Sequence, residues 1–499
     1  MMLWSTIFLG LSFFLILIQS FVFLANKSRS KKLPPGPTPL PIIGNLHSLG
    51  QQPHQSLANL AEKYGPIMSL KLGRITTVVI SSSSLAKEVL QKQDLAFSSR
   101  FVPDAVHALD HHLYSVAWLP VGPRWRSLRK IMTTVMLSGK GLETNDHLRR
   151  KKVQELIAHC GNSCEEGKAF DVGRAAFLTS LNFVSNTIFS RDLTDPNQDS
   201  VNVLKELVCE IMVDAGKPNL ADFFPVLKKI DPQGIRRSGT VHLDKLVQLL
   251  GDLIKERLEL RKVQKKSSSG NSDLLDMCLD INEENPEEID IALIQRLCVD
   301  LFLAGTDTTS ITLEWAMAEV LRNPEIMMKV KLELDEVIGK GKILKEADIS
   351  RLPYLQCIVK ETLRLHPPGP FLVPRKVESN VEVNSYIVPK GSQVLINVWA
   401  IGRDPNLWKD SLTFNPERFL TLERDVMGQD FELIPFGAGR RICPGLPLAM
   451  RMVLVMLGSL LNSFDWKVGP DKLDMSEKFG LTLHKAHALK VVPMPVAIL

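Results

Sequence analysis

The 499-residue chain is 45% hydrophobic and 23% charged, ordinary values for a globular protein, which excludes disordered, collagenous and coiled-coil classes. It holds one long uncharged apolar stretch, so a many-span transporter is excluded as well. The formal net charge of +5 is not that of a nucleic-acid binder, and four of the positive charges, Lys27, Arg29, Lys31 and Lys32, fall in one short run.

In chain order, the first element is the charge-free run from Leu3 to Ala25. As a helix it is roughly 34 Å long, enough to cross a hydrocarbon core of about 30 Å. No basic residue precedes it and no small-x-small cleavage pattern follows, which argues against a removed signal peptide. The basic run lies after it, so the positive-inside rule keeps that flank cytosolic. Residues 1–26 are therefore predicted to be a single-pass signal-anchor, with membrane lipid as partner. Prolines 34, 35, 37, 39 and 41 forbid continued helix and favour stiff extended backbone. Residues 27–45 then form a basic flank and rigid hinge, and residues 46–499 a cytosolic domain.

Residues 67–81 are rich in β-branched side chains and read as a hairpin. Ser84 is the predicted cap of a following helix. The polar stretch 262–273 reads as a surface loop. The longest helical pattern runs from Pro286, followed by two glutamates, to the residue before Pro324. Its centre, AGTDTT at 304–309, is made of weak helix formers, a local inconsistency of the kind that marks function. A second helical pattern over 352–370 ends at Pro367 and Pro368, and carries Glu361 and Arg364 three apart on one face, by themselves an ordinary surface ion pair.

Seven cysteines at irregular spacing do not describe a disulfide framework and indicate a reducing compartment. Cys160 and Cys164 fit one helical face, but no second ligand pair accompanies them, so a zinc site there is disfavoured. Cys443 is different. It follows Gly437, Gly439, Arg440 and Arg441 and precedes Pro444, Gly445 and a long apolar helix. Glycines allow close backbone approach, arginines stabilise an anion, and a helix N-terminus lowers a thiol pKa. The residues describe a thiolate that is either a nucleophile or a metal ligand. No histidine lies in the loop, and GAGRR lacks the third glycine of a dinucleotide fingerprint.

Taken together, F-x-x-G-x-R-x-C-x-G at Phe436 to Gly445, E-x-x-R at Glu361 and Arg364, PERF at 416–419, AGTDTT at 304–309 and W-x-x-x-R at Trp125 and Arg129 resemble cytochrome P450, the haem-thiolate monooxygenases. The resemblance covers essentially the whole chain. It implies a mainly α fold with small β-sheets behind one N-terminal transmembrane helix, in the endoplasmic reticulum membrane. It implies haem b with Cys443 as axial iron ligand, and Arg441, Trp125, Arg129 and Arg375 as donors to the propionates. Glu361, Arg364 and Arg418 become a buried triad, overriding the surface-pair reading. Asp307 and Thr308 match the family's acid–alcohol pair, which delivers protons during O2 activation. No flavin or nicotinamide motif is present, so NADPH–cytochrome P450 reductase is the implied electron source, docking on a basic face that includes Arg440 and Arg441.

By family position the substrate pocket is lined by Leu303, Ala304, Phe371, Leu372 and Leu481, with residues 101–119 covering its top. His111 and His112 in that cover are read as solvated. Longer stretches such as MVDAGKPNLADFFP and KFGLTLHKAHALKVVP closely resemble a plant microsomal subfamily that hydroxylates an allylic methyl of acyclic monoterpene alcohols. Such an alcohol is the expected substrate. The alternatives are phenolic, diterpene or xenobiotic substrates for the same chemistry, a haem-thiolate isomerase, and a non-catalytic haem-binding protein.

Overall fold

The computed structural model describes residues 33–263, 273–468 and 473–496. The anchor at 1–26 and the basic run lie outside the described residues, as does most of the 262–273 stretch. From Leu33 the proline segment is extended and docked on the domain. Ser69 donates its amide to Pro35 O at 2.8 Å and its hydroxyl to Pro34 O at 2.6 Å.

The domain is mostly helical. Seven helices place the site: α1 (Pro123–Ile131), α2 (Val172–Phe189), α3 (Ser200–Gly216), α4 (Ile235–Val263), α5 (Ile291–Arg322), α6 (Pro353–Leu365) and α7 (Leu446–Ser463). α5 is the axis, packing against α2, α7, α4, α6 and α3. Because it meets neighbours on every side, most of its residues from Leu293 to Val320 are buried, as expected of a helix that is apolar all round. α7 has the length and apolarity of a membrane span, yet most of it is buried inside the domain as a core helix.

α5 begins later than the Pro286 signal indicates. Residues 286–288 form a turn, and Asp290 caps the helix by accepting the Leu293 amide at 2.6 Å; a capping carboxylate outweighs a proline four residues earlier. The AGTDTT centre does not break the helix. Thr306, Thr308 and Thr312 donate their hydroxyls to the carbonyls of Phe302, Ala304 and Thr308 at 2.7, 2.7 and 2.8 Å, so each hydroxyl is satisfied within a helix that stays continuous. Gly305 serves packing: a Cβ there would lie 3.1 Å from Val184 of α2.

The main sheet holds β1 (Ile67–Leu72), β2 (Ile75–Ile80), β3 (Ser99–Arg100), β4 (Arg375–Lys376) and β5 (Gln393–Ile396), in the order β1-β2-β5-β4-β3. β1 and β2 form the expected antiparallel hairpin, and β2 runs parallel to β5. The helix after β2 is capped by Ser82, whose hydroxyl accepts the Leu85 amide, and not by Ser84. Near the C-terminus β6 (Glu477–Lys478) pairs with β7 (His484–Lys485). The connection between them carries residues 479–483 back to the helices, where the Leu481 amide donates to Met212 O at 2.9 Å and that of Leu483 to Pro368 O at 2.8 Å.

Glu361 and Arg364 on α6 meet Arg418 in the interior. Arg364 donates Nε and Nη2 to the two Glu361 oxygens, each at 2.7 Å, and Arg418 donates Nε to Glu361 Oε1 at 3.0 Å. Glu361 is fully buried. The remaining guanidinium hydrogens reach the carbonyls of Ser411, Thr413 and Lys409, and Trp408 lies beneath both arginines at 5.3 and 6.0 Å. One carboxylate is thus shared by two cations that hold the chain from 409 to 413. Removing it leaves buried charge uncompensated, at a cost of about 3–5 kcal/mol. Glu361→Gln is expected to lower the unfolding midpoint sharply and yield little soluble protein, measured by thermal melting of whatever is recovered; a midpoint equal to wild type would contradict this reading.

Candidate active site

One cavity of about 380 Å³ lies at the centre of the domain, lined from α5 by Leu301, Leu303, Ala304, Gly305, Thr308, Thr309 and Thr312, and from the α7 end by Cys443, Pro444 and Gly445. Cys443 opens onto it. Its amide donates to Phe436 O at 2.9 Å, which folds the loop back on itself. Gly439 in that loop has φ +67, and a Cβ there would lie 2.1 Å from Leu90 O, so only glycine fits. Burial raises the Cys443 pKa, while the amides of Gly445 and Leu446 and the Arg129 guanidinium pull the other way. These opposing groups all act at the start of α7, where a thiolate is favoured.

Four guanidiniums face the same cavity: Arg100, Arg129, Arg375 and Arg441. Arg441 donates to Ser98 O at 2.9 Å and to the carbonyls of Val116 and Leu119; Arg129 donates to Ile442 O. Arg100 donates to Ala117 O and Val373 O at 3.1 and 3.0 Å, and Arg375 to Phe97 O at 3.0 Å. All of these partners are neutral carbonyls. The Nε of Arg375 is buried with no partner at all. Arg100 and Arg375 stand directly opposite each other on β3 and β4, a like-charge pairing that destabilises a sheet. The pKa of Arg100 is held well below its ordinary value by burial and then by Arg375, Arg441 and Arg129. Burial and Arg441 bring Arg375 to about 10, and burial and Arg129 do the same to Arg441. Trp125 donates Nε1 to Val116 O at 3.2 Å and lies under Arg441 at 4.8 Å.

Such a cluster needs an anion. A haem carries two carboxylates on a flat apolar ring and needs a thiolate below its iron. The cavity offers unpaired guanidinium hydrogens, apolar walls and the Cys443 sulfur, so the residues fit the group. Arg100 was not singled out from sequence; it sits in the run AFSSR, where no spacing relates it to Arg375 some 275 residues later.

Other expected residues are placed differently. Leu303, Ala304, Leu372 and Leu481 line the cavity, but Phe371 does not. Leu372 has φ +55, which turns the two neighbours apart; Phe371 packs edge-on against Phe479 at 6.0 Å, beside a smaller cavity. Thr308 faces the main cavity, whereas Asp307 does not line it. The buried Asp307 carboxylate accepts from Thr482 Oγ1 at 2.7 Å and lies 3.4 Å from His484 Nε2. Thr482, which sequence reasoning missed, does line the cavity.

His111 is not solvated. It is buried, with Nε2 3.2 Å from Asp300 Oδ1. The Asp300 carboxylate also accepts from Ser115 Oγ at 2.8 Å and the Val116 amide at 2.7 Å, pinning the 101–119 cover to α5. Nor do the loop arginines form an open basic face: Arg441 is buried towards the cavity, and Arg440 is paired with Asp94 at 3.0 Å.

Comparison with known proteins agrees with this geometry. The family pattern described as Cytochrome P450 matches residues 34–490. The chain is 62% identical over 495 residues to geraniol 8-hydroxylase of Swertia mussotii, covering 98% of this chain and 99% of that protein. It is 62% identical over 492 residues to geraniol 8-hydroxylase of Catharanthus roseus, with the same coverage. It is 56% identical over 486 residues to 7-ethoxycoumarin O-deethylase of Helianthus tuberosus, covering 97% and 98%. A cavity that sets a single thiol beneath apolar walls and beside unneutralised arginines is what a thiolate-ligated haem requires, and with these matches the chain belongs to the cytochrome P450 family of haem-thiolate monooxygenases.

Proposed function

We propose that the protein hydroxylates a small acyclic monoterpene alcohol, geraniol or a close analogue, at the expense of NADPH and O2. The observation that carries this reading is the cavity itself, a chamber with mostly aliphatic walls above the Cys443 sulfur. Its size is that of a small-molecule site. The two geraniol 8-hydroxylases that match the chain over nearly its whole length support the same substrate class.

In this reading Cys443 would ligate the haem iron through its thiolate, and Arg100, Arg129, Arg375, Arg441 and Trp125 would hold the propionates. Bound haem would supply, from O2, two electrons and two protons, the oxidant that inserts one oxygen atom into a substrate C–H bond while the other leaves as water. The protein does the rest. Leu303, Ala304, Leu372 and Leu481 exclude bulk water and hold the apolar chain by contact. Thr308 has its hydroxyl hydrogen committed to Ala304 O, so its oxygen lone pairs are left to accept from a water or hydroxyl in the cavity. Asp307 is the proton source one step back. Its carboxylate is screened from the cavity by Thr482, so protons pass between them along the Asp307–Thr482 contact. Glu361, Arg364 and Arg418 support the site without touching it.

Electrons come from a membrane-bound NADPH–cytochrome P450 reductase, and residues 1–26 anchor the protein in the endoplasmic reticulum membrane with residues 46–499 in the cytosol. The apolar run followed by four cations, and the plant relatives, support both statements.

The test of function is mass-spectrometric product analysis of microsomes containing the protein and a P450 reductase, fed geraniol or 7-ethoxycoumarin in turn. A terpene diol formed only with NADPH is expected. Protein whose reduced CO complex shows thiolate-ligated haem but which gives no terpene product would overturn the substrate. Thr308→Val is expected to keep geraniol binding while NADPH consumption runs well ahead of product, by about tenfold or more, the scale of a lost proton-transfer partner. Unchanged coupling would remove Thr308 from the proton path.

A further inference from the structure

The apolar roof of the cavity contains one carboxylate that nothing in the mechanism uses. Asp214, in the last turn of α3, lines the main cavity and is 5% exposed. Its Oδ2 is buried without a hydrogen-bond partner. Across from it on α4, His242 Nδ1 is also buried without a partner. The two atoms are 3.7 Å apart, beyond the range of a direct hydrogen bond. A buried carboxylate oxygen left unsatisfied is costly, and it lies in a cavity wall that also includes the apolar Ala215, Gly239, Leu243 and Leu481.

Most other polar groups of the cavity are already engaged. Ser115 and one nitrogen of His111 are held on Asp300, and Thr308 and Thr312 are bonded to helix carbonyls. Ser180 Oγ and His111 Nδ1 also lack partners. The first is a hydroxyl in a helix, free to rotate onto the carbonyl of the preceding turn; the second belongs to a ring already oriented by Asp300. Among the described residues that line the cavity, only Asp214 presents a buried carboxylate oxygen without a hydrogen-bond partner.

We propose that Asp214 anchors the hydroxyl of an alcohol substrate, which donates to Asp214 Oδ2, while His242, outside the cavity lining, backs the carboxylate from 3.7 Å. This rests on the monoterpene-alcohol reading and deepens it. Asp214 and Cys443 enter one cavity from different walls, α3 and the start of α7. An acyclic alcohol held by its hydroxyl at the first wall offers the second a carbon remote from that hydroxyl. Both the preference for an alcohol and the position oxidised then follow from one polar contact in an apolar chamber.

The experiment uses haem-loaded full-length protein. Substrate-induced spectral shifts give Kd for geraniol and for 2,6-dimethylocta-2,6-diene, the same skeleton without the hydroxyl, in wild type, Asp214→Leu and Asp214→Asn. Wild type is expected to prefer geraniol about ten- to a hundredfold, the range of a hydrogen bond to a charged group. Asp214→Leu is expected to bring that ratio near one while leaving the hydrocarbon Kd within about threefold, and to turn a single oxidation product into a mixture. Asp214→Asn, which keeps the shape, is expected to fall in between and serves if the leucine variant does not fold. A geraniol preference and single product retained in both variants would overturn the anchor. Wild type that hydroxylates geraniol yet binds both ligands equally would overturn the anchor alone; wild type that neither binds nor oxidises geraniol would overturn the anchor together with the alcohol reading.

Discussion

Two buried and two half-buried guanidiniums, with no carboxylate paired to them among the described residues, are the constraint around which this structure is built. Like charges packed together in a low-dielectric interior repel, and the pKa values of Arg100, Arg375 and Arg441 are lowered first by burial and then by their neighbouring arginines. The fold holds them there regardless. β3 and β4 place Arg100 opposite Arg375, α1 supplies Arg129 and Trp125, and the loop before α7 supplies Arg441. Backbone carbonyls fix each guanidinium but neutralise none. Bound haem would relieve this, because its propionates would bring negative charge to the cavity that also presents the Cys443 sulfur.

A second set of charges is arranged the opposite way. At Glu361 two arginines share one carboxylate in full burial, with donors reaching the chain from 409 to 413. There a carboxylate stands among the guanidiniums, whereas the cavity arginines have none paired to them among the described residues. The same distinction separates the carboxylates near the cavity. Asp300 is fully used in pinning the cover loop, Asp307 is held by Thr482, and Asp214 keeps an unpaired oxygen. α5 ties these together by packing against the helices that carry the roof and against α7, which follows the thiol loop.

Much of the site was legible in the sequence because its motifs are local. The cysteine loop, the E-x-x-R pair and the hairpin at 67–81 each depend on residues within a few positions of one another. What spacing cannot report is the direction in which a side chain finally faces. Asp307 and Thr308 are adjacent, yet one is turned to Thr482 and the other to the cavity. Phe371 and Leu372 are adjacent, yet a left-handed backbone at Leu372 sends them apart. His111 reads as solvated in a polar loop until Asp300, 189 positions later, is seen to bury it. Arg100, Asp214 and His242 carry no motif at all, and their roles arise only when distant segments are brought together. Proline and serine signals misplaced two helix starts by a few residues because a capping side chain, Asp290 or Ser82, outweighed them.

The most direct test of the central claim is haem retention. Transfer of haem from the purified holoprotein to a haem-free acceptor protein would be timed for wild type and Arg375→Gln, with the reduced CO spectrum of each and of Cys443→Ser recorded alongside. The account predicts markedly faster haem loss from Arg375→Gln with its thiolate signature intact, and loss of that signature in Cys443→Ser. An Arg375→Gln protein that keeps haem as long as wild type, or a Cys443→Ser protein with an unchanged spectrum, would contradict it.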